Sequence, residues 1–213
     1  MTKPVDLSIC EGKPAKYTDN NHWQHKDAQA MLCQLHDELG EPDVYDGVQG
    51  GIAIWRENVK KPDCAQEITL KDESVPHRCP KQHNDFLYTT LKVEVPPHLV
   101  DEVTSLSGSI SYDPLTTKLT ARCGSLEANV ATLNLATRIA TGKLTIEDVQ
   151  SQGQYKQHIE AISCDQSQPD CQHHLNQLIG TICENVKELK PRGLDYYPNA
   201  FDENCGEPHD HHD

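Results

Sequence analysis

Residues 85–95 read DFLYTTLKVEV, and their period decides the fold. Leu87, Leu91, Val93 and Val95 fall on one side of an extended chain, with Tyr88, Lys92 and Glu94 on the other. That two-residue alternation is the mark of a strand with one face against a core and the other toward water. Pro96 and Pro97 end it.

Strand signals continue on either side. GIAIW at 51–55 and QEITL at 66–70 are short strand candidates. GSISYDPLTTKLTARCG at 108–124 reads as a hairpin, with two runs of β-branched, hydroxyl and aromatic residues about the turn signal Asp113-Pro114. Five strands are expected. Helical period takes over on both flanks. In HWQHKDAQAMLCQLHDELG (22–40), Ala28, Met31, Leu32, Leu35 and Leu39 share a face and Gly40 supplies the stop. SLEANVATLNLATRIATG (125–142) opens on Ser125 as N-cap and closes on Gly142. Its apolar and alanine content runs nearly all round, which predicts the most buried helix. TIEDVQSQGQYKQHIEAIS (145–163) is a weaker helix interrupted by Gly153. Residues 170–190 then carry Leu175, Leu178, Ile179, Ile182, Val186 and Leu189 in one stripe before Pro191 and Gly193.

Strands bunched in the middle with helices at both ends predict an α+β fold, a central antiparallel sheet of about five strands covered by amphipathic helices from both ends of the chain. The expected organisation is an N-terminal arm over 1–22, aperiodic and carrying Pro4, Gly12 and Pro14, then a single α+β domain over 23–197. A flexible acidic and histidine-rich tail, PNAFDENCGEPHDHHD, follows from 198 to 213.

Charge narrows the partners. Nineteen basic and 33 acidic residues give a formal charge of −14, a field that repels phosphate backbones and anionic headgroups. Nucleic acid and membrane surfaces are therefore not expected as partners. A small-molecule substrate, a homo-oligomer or a protein assembly is. With no apolar run near the roughly 20 residues of a membrane span, and none at the start of the chain, a soluble cytoplasmic protein is expected. Nine cysteines are present. In a reducing compartment they are free thiols or metal ligands, and in an oxidising one at least one is left over. They form no C-x-x-C pair, so neither a zinc ribbon nor a thioredoxin-type site follows from spacing.

Ligand-type side chains concentrate just before the alternating strand, in KDESVPHRCPKQHND (71–85). His77-x-Cys79 and His83-x-Asp85 both have period 2, which places each pair on one face of an extended chain. Zinc or iron needs three or four N, S or O donors converging at about 2.0–2.3 Å, and His77, Cys79, His83 and Asp85 are the candidates. If pairing begins near His83, then His83 and Asp85 share the core face of Leu87 and Leu91, where two ionisable groups are costly unless they pair, bind an ion or do chemistry. The plainer reading is that they hydrogen-bond to each other at a strand end, with His77 and Cys79 in a solvated loop. Glu73 is the nearby candidate for a general base.

His83-x-Asp85 resembles half of the two-histidine, one-carboxylate triad of non-haem iron oxygenases, which takes its other histidine from a later strand. The later histidines His98, His158, His173 and His174 lie beside prolines or in helical stretches, so the resemblance is confined to the pair.

A second constellation sits where the hairpin hands over to the buried helix. In ARCGSLEAN, Arg122 and Cys123 precede a helix N-terminus, whose free N–H groups and dipole favour an anion or a thiolate. This makes Cys123 a candidate nucleophile assisted by Arg122. A third, CDQSQPDCQHH (164–174), gathers Cys164, Cys171, His173 and His174, which could bind zinc or close a small disulfide loop. No phosphate-binding loop, dinucleotide fingerprint, H-E-x-x-H or G-x-S-x-G is present. The residues thus point to a small metal-binding protein using zinc or iron, with catalysis on a small molecule left open. The alternatives are a non-catalytic structural or assembly protein and a cysteine-nucleophile enzyme.

Overall fold

The alternating stretch forms β4 (His83–Lys92), which lies inside a sheet between β3 (Glu67–His77) and β6 (Lys118–Cys123). With β1 (Val44–Asp46), β2 (Ile52–Trp55) and β5 (Ile110–Asp113) the order is β1-β2-β3-β4-β6-β5, every neighbouring pair antiparallel. The computed structural model describes residues 5–18, 23–47, 50–56, 64–77, 82–151, 153, 157 and 169–189. The fold is α+β, with six strands where five were expected. The added one, β1, has three residues, too few to display a period.

Register explains which face is buried. Trp55, Ile68, Thr89, Ala121 and Ile110 form one cross-strand row, and Ala53, Leu70, Leu87 and Cys123 form the next. All nine are buried. The alternate row, Ile54, Thr69, Tyr88 and Arg122, is more polar. Helices cover the apolar rows. Helix α2 (Lys26–Leu39) buries the five residues expected of it and ends on Gly40 at φ 84°, and Trp55 of β2 donates its indole N–H to the Gly40 carbonyl at 3.0 Å. Helix α4 (Leu126–Ala140) is capped as expected, Ser125 Oγ accepting from the Ala128 N–H at 3.2 Å. It lies over the β4 side of the sheet, where Asn129 Nδ2 donates to the Leu87 carbonyl and to Thr89 Oγ1. Helix α6 (Pro169–Glu188) packs on α4 through Leu178 and Ile182. Among the described residues there are also three short α-helices, α1 (Ala15–Thr18), α3 (Val100–Ser105) and α5 (Ile146–Ser151), and two 3-10 turns, Ser8–Cys10 and Pro97–Leu99. Gly153, the expected interruption, has φ 61°.

Residues 5–18, within the expected arm, pack against α2. Cys10 is disulfide-bonded to Cys33 of α2, and Tyr17 is fully buried, its carbonyl accepting from Gln29 Nε2 at 2.9 Å. A second disulfide, Cys64–Cys183, ties the approach to β3 to α6. The expected tail over 198–213, and Cys79, Cys164 and Cys205, lie outside the described residues.

One buried acid locks the entry to α2. Asp72, its side chain 1% exposed, accepts from the backbone N–H groups of Gln24 at 2.7 Å and His25 at 2.8 Å, and from His25 Nδ1 at 3.0 Å. Replacing Asp72 with alanine strands these donors at the N-terminus of a helix, so a loss of about 2–3 kcal/mol in unfolding free energy is expected, read from urea denaturation.

Candidate metal centre

The end of the β3–β4 ladder is irregular, and the irregularity builds the site. Leu70 pairs with Leu87, but the next pairs are Val75 with Asp85, Pro76 with Asn84 and His77 with His83. Residues 71–74 of β3 thus face only Phe86 of β4, a bulge. Phe86 and Leu87, adjacent in sequence, both join the buried cluster under α2, so the alternation slips there. Asn84 and Phe86 take the helix side, Asn84 Nδ2 donating to Asp27 Oδ2 of α2 at 3.3 Å. Asp85 turns instead toward Arg122 and Ser109. It does not share the face of Leu87, as unbroken alternation would require, and its burial comes from polar neighbours.

Those neighbours converge. Asp85 is 1% exposed, and His77 and His83 are 21% and 26% exposed. One donor atom from each of the three lies within 4.8 Å of the others. The two carboxylate oxygens have different surroundings. Oδ2 accepts from Ser109 Oγ at 3.2 Å and Arg122 Nε at 3.4 Å, with His77 Nδ1 at 3.6 Å. Oδ1 is buried, and His83 is the partner it has among the described residues. His83 Nε2 pairs with it at 3.1 Å. Ser109 Oγ also lies 3.1 Å from His77 Nδ1, so one hydroxyl orients both the imidazole and the carboxylate. Burial works to raise the Asp85 pKa, but the contact with His83, the charges of His77 and His83 and the Ser109 bond together hold it below the ordinary carboxylate value.

Arg122 continues the network outward. Burial works to lower its pKa, and contacts with Tyr88 and Asp85 more than offset this. Tyr88 donates its hydroxyl to Glu73 and carries Lys71 Nζ over its ring at 4.4 Å. Burial and the Glu73 carboxylate raise the tyrosine pKa. The same His83 Nε2 is 3.3 Å from the thiol of buried Cys123. Gly124 makes this approach feasible, since a Cβ there would meet the Asn84 carbonyl oxygen at 2.7 Å.

Two constellations that are separate in sequence therefore occupy one place. His77, His83 and Asp85 come together, Arg122 and Cys123 flank them, and Glu73 is one step away through Tyr88. Cys79, the fourth expected ligand, is outside the described residues. Ser109 and Tyr88 carried no sequence signal. Serine before a strand is ordinary turn chemistry, and Tyr88 reads simply as an outward strand residue until register sets it opposite Arg122.

An open groove of about 720 Å³ runs from the residue 5–10 segment along α2 to His83, with Ile9, Asp27, Met31, Phe86 and Gly124 among its walls. No helix among the described residues is long and apolar enough to cross a membrane. No known protein family, curated protein or solved structure matches this chain.

Proposed function

We propose that the chain is a metal-binding protein holding zinc or ferrous iron at His77, His83 and Asp85. One observation carries this reading: a fully buried carboxylate set against two imidazoles, with one donor atom from each of the three within 4.8 Å of the others. A buried carboxylate is costly unless it is paired, and a bound cation pairs it. Two imidazoles and one carboxylate are the donors that zinc and ferrous iron accept. Ser109 and Arg122 would act on the other carboxylate oxygen as outer partners that fix ligand orientation. Two disulfides support an oxidising compartment over the cytoplasm.

The test uses the full chain with His209, His211 and His212 replaced by alanine, because a histidine-rich tail binds transition ions in any protein. Dialysis against zinc or ferrous iron followed by elemental analysis is expected to return about one equivalent, lost in the His77→Ala and His83→Ala versions. Retention below about a tenth of an equivalent in the parent rejects the reading.

A further inference from the structure

Cys123 is buried at the junction of β6 and α4, its Sγ 3.3 Å from His83 Nε2. The same nitrogen lies 3.1 Å from Asp85 Oδ1. A thiol–imidazole–carboxylate relay needs the two partners on opposite ring nitrogens, one taking the thiol proton while the other is held by the acid. Here Cys123 and Asp85 meet the same nitrogen, which is not the relay arrangement. It suits a shared ion. Donors bound at about 2.0–2.3 Å with tetrahedral angles sit roughly 3.2–3.7 Å from one another, close to the spacings seen here from Nε2 to Sγ and to Oδ1.

Resting on the metal reading above, we propose that Cys123 is the fourth ligand, a thiolate that completes a His77, His83, Asp85 and Cys123 set. Cys123 Sγ meets one of the three gathered donors, His83 Nε2, and is not itself within 4.8 Å of all of them, so ligation requires the thiol to shift toward Asp85 and His77. On binding, the Sγ–H bond breaks, an Sγ–metal bond forms and the proton leaves to solvent. Two further observations support the assignment. The buried Asp85 Oδ1 lies 3.1 Å from the same nitrogen, so thiol, imidazole and carboxylate meet at one point. Cys123 is also a free thiol in a chain whose Cys10, Cys33, Cys64 and Cys183 are paired. A thiolate excludes magnesium and calcium and favours zinc. Four protein donors close the coordination shell, so the ion pins the β3–β4 end to β6 as a structural centre, and the groove beside it serves no metal-bound substrate.

Cobalt(II) is the probe, titrated into the full chain carrying alanine at 209, 211 and 212. The expected spectrum has strong tetrahedral visible bands and a near-ultraviolet thiolate-to-cobalt band. In Cys123→Ser the thiolate band disappears and zinc affinity, from competition titration, falls about 100-fold, while Cys79→Ser retains both. A band that survives in Cys123→Ser and vanishes in Cys79→Ser gives the thiolate to Cys79 and overturns the proposal. Stoichiometric cobalt binding with no thiolate band overturns it too, leaving the three-donor reading intact. No binding beyond that of the His83→Ala chain overturns both. Should the serine variant fail to fold, alkylation of the unsubstituted thiol supplies the answer. Zinc is expected to slow iodoacetamide labelling of Cys123 about tenfold or more, as read by peptide mass spectrometry, and an unchanged rate overturns the assignment.

Discussion

Replacing Asp85 with alanine is expected to lower zinc affinity by about 100- to 1,000-fold, a share of the about 10–16 kcal/mol that a structural zinc site supplies, divided among three or four ligands. The carboxylate is the least replaceable donor because it is the fully buried one and because Ser109 and Arg122 hold it in place. Without metal the same change strands Arg122 and the Ser109 hydroxyl, at a cost of about 1–3 kcal/mol. Asp85→Asn separates the two roles. The amide keeps the shape and much of the hydrogen bonding, so the metal-free protein unfolds at nearly the parent urea concentration, but a neutral amide is a poor zinc ligand and affinity still collapses. Calorimetric titration with zinc, alongside urea denaturation of the apo forms, reads both. Parental affinity in Asp85→Asn would remove the carboxylate from the ligand set.

The second large effect is on stability. Cys64 and Cys183 are 119 residues apart in sequence, and joining them closes a loop that spans β3 through most of α6. Chain-entropy arguments give about 5 kcal/mol for a loop of that size, against about 3 kcal/mol for the 23-residue separation of Cys10 and Cys33. The Cys64→Ser, Cys183→Ser double variant is expected to lose stability by that larger amount in urea. Hydrogen exchange should rise first in α6, whose docking on α4 otherwise relies on apolar contacts such as Leu178 and Ile182 and on the buried Asn134–Leu178 and Asn185–Thr137 hydrogen bonds. A change below about 1 kcal/mol would mean that the pairing contributes no chain constraint in solution.

Much of the fold is legible because its signals are local. The alternation in 85–95, the Ser125 cap, the stops at Gly40 and Gly142 and the stripe from Leu175 to Leu189 each depend on neighbours in sequence, and each marks an element close to its observed bounds. β1 escapes because three residues carry no period. The length of β3 escapes for a different reason. Residues 71–77 are mostly polar and end in Pro76-His77, so they read as a loop, yet residues 75–77 pair with β4 beyond a bulge at 71–74.

The candidate site divides along the same line. Period 2 in His77-x-Cys79 and His83-x-Asp85 is enough to nominate donors, and sequence chemistry alone settles that they are the right types for zinc or iron. What it could not settle is where they point or what they meet. Strict alternation would put Asp85 under α2 beside Leu87, whereas the bulge at Phe86 turns it toward Arg122 and Ser109. Arg122 and Cys123 reach it from nearly forty positions away only because β6 pairs with β4 in one register, and Ser109 only because β5 pairs with β6. Composition and spacing fix which side chains are present and which secondary structure each segment prefers, since those depend on the chain's own covalent neighbourhood. Strand register and a single slip in it are set by which apolar rows can be buried together, and that is a property of the assembled sheet.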